Sequence, residues 1–168
     1  SPSFQPPDYD GRNLNFGVRE HAMGAVVNGM AIYPGVIPYG ATFLVFSDYM
    51  RGAIRLSALS KLSSIWVFTH DSIGLGEDGP THHGVFDLSF LRTIPNATIY
   101  APSNEIELRN MLHTALIKNS GPVFIRYPRG SAKGLEQANT LEKIEDFKPT
   151  IFHSGENYAL ITVGPWDT

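Results

Sequence analysis

A strand-length apolar run at residues 64–69, SIWVFT, breaks directly into the loop HDSIGLGEDGPTHHG at residues 70–84. A run with so little polar alternation reads as a strand buried on both faces, and such strands belong to parallel sheets covered by helices. Three further segments read the same way. Residues 36–46 hold a short strand leading into an aromatic-rich turn, residues 98–101 form a strand, and residues 122–127 form another. Residues 158–163 are expected as a last strand.

Helical patterns separate these runs. Residues 19–33 carry Ala22, Ala25, Val26, Gly29 and Met30 at helical spacing, and Pro34 with Gly35 ends the pattern. Ser47 is expected to cap a second helix reaching about Leu62, with Met50, Ile54 and Ala58 on one face. Residues 86–91 suggest a short helix. Pro102 and Ser103 open another, with Glu105 and Glu107 in the first turn, where the helix dipole favours acids. Its expected stripe is Leu108, Met111, Leu112, Ala115 and Leu116, and Gly121 is placed to end it. The alternation predicts an α/β fold of three layers around a mostly parallel sheet. In such sheets ligands sit at the carboxyl ends of strands, so the loop at residues 70–84 is the first place to look for chemistry.

Composition excludes several classes of function. A net charge of -3 argues against a general nucleic-acid binder, which needs a basic excess to contact phosphates. No apolar run reaches the roughly 18 residues of a membrane helix. Cysteine is absent, which removes disulfides, thiolate metal sites and a cysteine nucleophile, and an intracellular protein is the natural reading.

Four clusters carry candidate chemistry. Glu20, in FGVREHAMG, is either a solvated dipole-stabilising acid or a carboxyl aimed into a pocket. Phe43, Phe46 and Tyr49 recur at three-residue spacing; they are either ordinary core or a flat slot for a heteroaromatic ring. The loop packs His70, Asp71, Glu77, Asp78, His82 and His83 among glycines. Its spacing matches no standard metal motif, so substrate binding or proton transfer is favoured over a metal. Arg126 and Arg129 flank a strand end, either as ion-paired surface charges or as a guanidinium fork for a phosphate.

Together, GVREHAMGA, IPYGATFLVFSDYMRGAIRLSAL and THDSIGLGEDGPTHH resemble the transketolase family, in that order, over about residues 4–130. The second half, HGVFDLSFLRTIPNATIYAPSNEIEL with GPVFIRYPRG, looks more like deoxyxylulose-phosphate synthase, and His83 stands where the transketolase loop normally has Gln. The resemblance implies a pyrimidine-binding domain of a thiamine diphosphate enzyme that transfers a two-carbon ketol unit between sugar phosphates. Synthase-type chemistry and a non-catalytic binding module are the alternatives. By the same resemblance, Glu20 would bond N1′ of the aminopyrimidine, and Phe43, Phe46 and Tyr49 would line its pocket. His70 would touch substrate hydroxyls or phosphate, Asp78 a hydroxyl, and His82 would assist proton transfer. Arg129 would hold the sugar phosphate. Magnesium ligands are expected on a diphosphate-binding domain or chain outside these residues, and a homo-oligomer is expected. The implied compartment is cytoplasmic, or the plastid stroma after removal of a transit peptide. The implied organisation is an extended lead-in at 1–15, the pyrimidine-binding domain at 16–130, a linker at 131–150, and the start of a truncated C-terminal domain at 151–168.

Overall fold

The structure is a computed structural model that describes residues 2–118, 120–135 and 140–165. Helix α1 (Glu20–Ile32) leads to strand β1 (Tyr39–Phe43). A 3₁₀ segment (Leu44–Met50) then runs into helix α2 (Arg51–Leu59). Strand β2 (Ile65–Thr69), helix α3 (Asp87–Leu91), strand β3 (Thr98–Tyr100), helix α4 (Glu105–Ile117) and strand β4 (Val123–Arg126) follow. The strands form one parallel sheet in the order β1-β2-β4-β3. Phe43 is in register with Thr69, and Phe68 with Arg126, so the ends of β1, β2 and β4 emerge side by side.

Alternation along the strands divides the core into two layers, one on each face of the sheet. Trp66, Phe68 and Phe124 join Met23, Val27, Leu44, Met50, Ile54 and Leu91 from α1, the 3₁₀ segment, α2 and α3. Ile65, Val123 and Ile125 join Tyr100, Met111 and Ala115 on the α4 side. Each fully buried large side chain contributes about 1.5–3 kcal/mol relative to exposure. The three-layer parallel α/β architecture expected from the alternating pattern is the one found.

Local chemistry explains several boundaries. Asn104 caps α4, its side-chain oxygen accepting from the N–H groups of Ile106 and Glu107 at 3.0 Å each. Such a cap is worth about 1 kcal/mol. A Cβ on Gly24 would lie 2.7 Å from that of Ala53, so α1 and α2 approach more closely than a larger residue allows. Gly121 has φ +79°, and a Cβ there would lie 2.0 Å from the carbonyl oxygen of Asn96.

The structure corrects four local expectations. Helix α1 buries Met23, Gly24 and Val27, while Ala22, Ala25, Val26 and Gly29 from the expected stripe face outward. Ser47 does not cap α2. It is buried inside the 3₁₀ segment, its hydroxyl makes no hydrogen bond among the described residues, and Met50 holds the cap position. On α4, Met111 and Ala115 are buried as expected, but Asn110 and Thr114 replace Leu112 and Leu116 beside them. Those two polar side chains accept the backbone N–H groups of Glu142 and Ile144, so residues 142–146 lie along the helix. Asp146 completes that docking by accepting from Tyr100 Oη and Lys118 Nζ. Residues 158–163 form no strand: no neighbouring strand pairs with them, and Tyr158, Leu160 and Ile161 are exposed.

Candidate active site

The carboxyl end of the sheet gathers most of the residues singled out in the sequence. Phe43 closes β1, and the chain tightens at once into the 3₁₀ segment. A 3₁₀ helix has three residues per turn, so side chains three apart eclipse one another. Phe43, Phe46 and Tyr49 therefore stand in one row. The Phe43 and Phe46 rings are 5.6 Å apart and 7° from parallel, and Phe46 and Tyr49 are 6.0 Å apart at 34°. His70 stacks on Phe43 at 3.6 Å and 15°. His82 meets Phe46 edge-on at 5.4 Å and Phe43 at 6.3 Å. The rings touch each other, so the row is a wall and not a pair of jaws.

The histidines are held by their neighbours. Nδ1 of His70 is 2.8 Å from the Thr69 hydroxyl, and Nδ1 of His82 is 2.9 Å from that of Thr81. His70 has φ 56° and Ser72 φ 60°, both left-handed for non-glycine residues. Such conformations cost about 1–3 kcal/mol each and persist only where surrounding contacts fix them.

Charge surrounds the wall unevenly. Glu20 opens α1 and is partly buried, and it makes no hydrogen bond or ion pair among the described residues. It lies one turn before Gly24 on the face that packs against Met50 and Ala53. Arg129 reaches back over the loop, its Nη1 donating to the Leu75 carbonyl at 3.0 Å and lying 3.5 Å from the Glu77 carboxylate. The backbone N–H of Glu77 and the Arg129 charge hold the Glu77 carboxyl below its ordinary value. Asp78 is exposed on the same loop. Among the described residues no group of three or more His, Asp or Glu side chains is placed to hold a metal.

The structure decides between the two readings of Arg126 and adds Asp87, which the sequence did not single out. Arg126 is buried, and its Nε lies 2.8 Å from Oδ2 of Asp71, while its Nη2 donates to the Ser72 hydroxyl at 2.8 Å. Arg126 is thus unavailable as half of a phosphate fork. The signal was present: an arginine closing a buried strand requires an acid partner. Burial pushes the Asp71 carboxyl above its ordinary value, opposed by the Arg126 charge and the Ser72 hydroxyl. Asp87 is buried at the start of α3, and its Oδ2 makes no hydrogen bond among the described residues. Burial raises its pKa, the Asp48 charge adds to the rise, and Arg51 opposes it. No sequence signal marked Asp87 beyond an acid at a helix start.

Within the wall, Phe43, Phe46, His70 and His82 are half-buried and Tyr49 is exposed. Concavities of about 320 Å³, beside Thr114, Lys118 and Ile144, and about 440 Å³, beside Arg55, Leu59 and Phe90, lie elsewhere.

Residues 2–133 match the family model for the transketolase pyrimidine binding domain. The chain belongs to that family. The transketolase of Nostoc sp. is 52% identical over 135 residues, covering 79% of this chain and 20% of that protein. Transketolase-1 of Arabidopsis thaliana, a chloroplast protein, is 44% identical over 164 residues, covering 96% of this chain and 22% of that protein. Among solved structures, the Pichia stipitis transketolase complex with sedoheptulose 7-phosphate gives a TM-score of 0.71 at 45% identity, covering 74% of this chain and 19% of that one. The Leishmania mexicana transketolase gives 0.72 at 44%, with the same coverage. This pyrimidine-binding domain thus spans about a fifth of the length of the transketolases it matches.

Proposed function

We propose that this chain furnishes the pyrimidine side of a transketolase-type active site, in a transferase that moves a two-carbon ketol unit between sugar phosphates. One observation carries the reading. Half-buried Phe43 and Phe46 stand in a row with exposed Tyr49, flanked by His70 and His82, at the carboxyl end of a parallel sheet. A flat apolar wall with polar edges suits one face of a heteroaromatic ring.

Thiamine diphosphate fits these residues at its aminopyrimidine end and, when bound, supplies a nucleophilic thiazolium carbon. The aromatic row would hold the ring and exclude water. Glu20, unpartnered at a helix start, would share a proton with N1′. His70 and His82, each engaged through Nδ1, would present Nε2 to substrate oxygens. Asp78 would accept from a substrate hydroxyl, and Arg129 would leave its exposed Glu77 partner for a phosphate. Magnesium does not fit the described residues, and no step is assigned to it.

The reading requires a diphosphate-binding domain or chain outside these residues. The outward apolar face of α1, with Ala22, Ala25 and Val26, supports a homo-oligomer. We place the pyrimidine-binding domain at 16–130, a linker at 131–150, and the start of another domain at 151–168. A cytoplasmic or plastid-stroma location accords with the chloroplast relatives and with the lack of any helix long and apolar enough to cross a membrane among the described residues.

Titration calorimetry tests the proposal. With thiamine diphosphate and magnesium, the chain alone should bind weakly, and adding a diphosphate-binding chain should restore tight binding and ketol transfer. Micromolar binding with measurable transfer, and no second protein present, would overturn it.

A further inference from the structure

The ends of β1, β2 and β4 lie side by side, and the chain leaving β2 is pulled in two directions. His70 leans toward β1 and stacks on Phe43, which is in register with Thr69. The next two residues turn the other way, toward β4. There Arg126, in register with Phe68, reaches both the Asp71 carboxylate and the Ser72 hydroxyl at 2.8 Å. The left-handed residues His70 and Ser72 flank Asp71 on either side. A backbone hydrogen bond from Asp71 to the Tyr127 carbonyl, at 3.4 Å, is long. The guanidinium adds two ties to this turn, an ion pair with the Asp71 carboxylate and a hydrogen bond to the Ser72 hydroxyl.

We propose that Asp71 and Arg126 are positioning residues: their buried ion pair, extended to Ser72, sets the backbone that lays the His70 ring on Phe43. The planar fork suits this task because one rigid group grips two consecutive residues, whereas an ammonium would act as a single point charge. The pair is an uneconomical way to gain stability, since burying charges offsets most of their attraction. Oδ1 of Asp71 and Nε of Arg126 are both buried with no hydrogen bond among the described residues, so the pair is held by charge and gains little stability from its geometry. The pair grips the two residues that follow His70, so it acts through His70. The inference rests on reading His70 as part of the site, but its geometry is measurable without cofactor.

Proton NMR of the histidine ring signals reads that geometry, with His70 assigned by loss of its resonance in His70→Gln. Stacking on Phe43 displaces the His70 ring protons upfield, and Phe43→Leu should abolish the displacement. Replacing the pair by apolar side chains in the double variant Asp71→Leu/Arg126→Met keeps the site filled without leaving a lone buried charge. The double variant should stay folded, with the Trp66 indole resonance in place, but lose the His70 displacement. Arg126→Lys retains the cation and loses the fork, and should reduce the displacement by at least half. It serves as the test if the double variant does not fold. A His70 displacement unchanged in either folded variant would overturn the proposal. Failure of thiamine diphosphate to bind would bear on the functional reading alone.

Discussion

The imidazole of His70 lies flat on the ring of Phe43, with centroids 3.6 Å apart and planes 15° from parallel. Nδ1 of the same imidazole is engaged with the Thr69 hydroxyl at 2.8 Å. The ring is thus fixed on one face and at one nitrogen, which leaves Nε2 as the atom that can meet a ligand. A histidine so placed is oriented before any substrate arrives, and this lowers the entropic cost of binding.

Glu20→Ala should leave the fold intact and nearly abolish turnover in the reconstituted enzyme. Glu20 has no hydrogen-bonding partner among the described residues whose loss would destabilise the domain. Removing a group of this kind typically lowers the rate on the order of 100-fold or more. Thermal unfolding of the variant chain and single-turnover kinetics together check it. Turnover near the parent level would dismiss the proton-sharing role.

Arg129→Ala should weaken phosphorylated substrates far more than unphosphorylated analogues. A charge-assisted, bidentate arginine contact to phosphate is worth roughly 1.5–3 kcal/mol, or about 10- to 150-fold in kcat/KM. Arg129 is half exposed, and a phosphate would have to compete only with a 3.5 Å contact to an exposed glutamate and one bond to the Leu75 carbonyl. Equal losses for both substrate types would assign it to the loop instead, through its bond to the Leu75 carbonyl.

Docking of residues 142–146 on α4 should depend on pH through Asp146. Burial raises its pKa, but hydrogen bonds from Lys118 and Tyr100, with the charges of Lys118 and Lys143, outweigh burial and hold the carboxyl below its ordinary value of 3.8. A depressed folded value means that the stabilisation is fully present above the unfolded value. It is lost as the pH falls through the folded one. Asp146→Asn should therefore speed amide exchange at Glu142 and Ile144 about fivefold at neutral pH, equivalent to about 1 kcal/mol for a partly exposed pair. In strong acid the two proteins should converge. Equal protection at neutral pH would show that Asn110 and Thr114 alone hold the segment.

Gly121→Ala should destabilise the domain by roughly 2–4 kcal/mol, from left-handed strain together with a clash against the Asn96 carbonyl. The new methyl has no flexible side chain to push aside, because the nearest atom belongs to the backbone at 2.0 Å. Urea unfolding of the variant checks it, and a loss under 1 kcal/mol would mean that the turn relaxes freely.

The strands were legible because their residues leave few choices. IWVF and VFI are apolar on both faces, and only a doubly covered sheet accepts them. The aromatic row was legible as a spacing, though the 3₁₀ geometry that aligns it was not. The α1 stripe was misjudged because the helix is small and apolar nearly all round, so Ala22/Ala25/Val26 and Met23/Gly24/Val27 both fit a helical period. Contact with Met50 and Ala53 selects the second set, and that contact lies beyond any local window. For Arg126 the sequence leaves an ion pair and a phosphate contact both open, because its acid, Asp71, comes from a different strand end.

The 3₁₀ segment has a consequence for redesign. Converting Leu44–Met50 to an α-helix would rotate each successive ring about 60° away from the one before it, since three residues advance only about 300° at α-helical pitch. Phe46 would leave Phe43, and Tyr49 would point to another side altogether. Any substitution that stabilises this stretch by raising its α-helical propensity therefore fans the row apart. Thermal robustness and the flatness of the wall pull this segment in opposite directions.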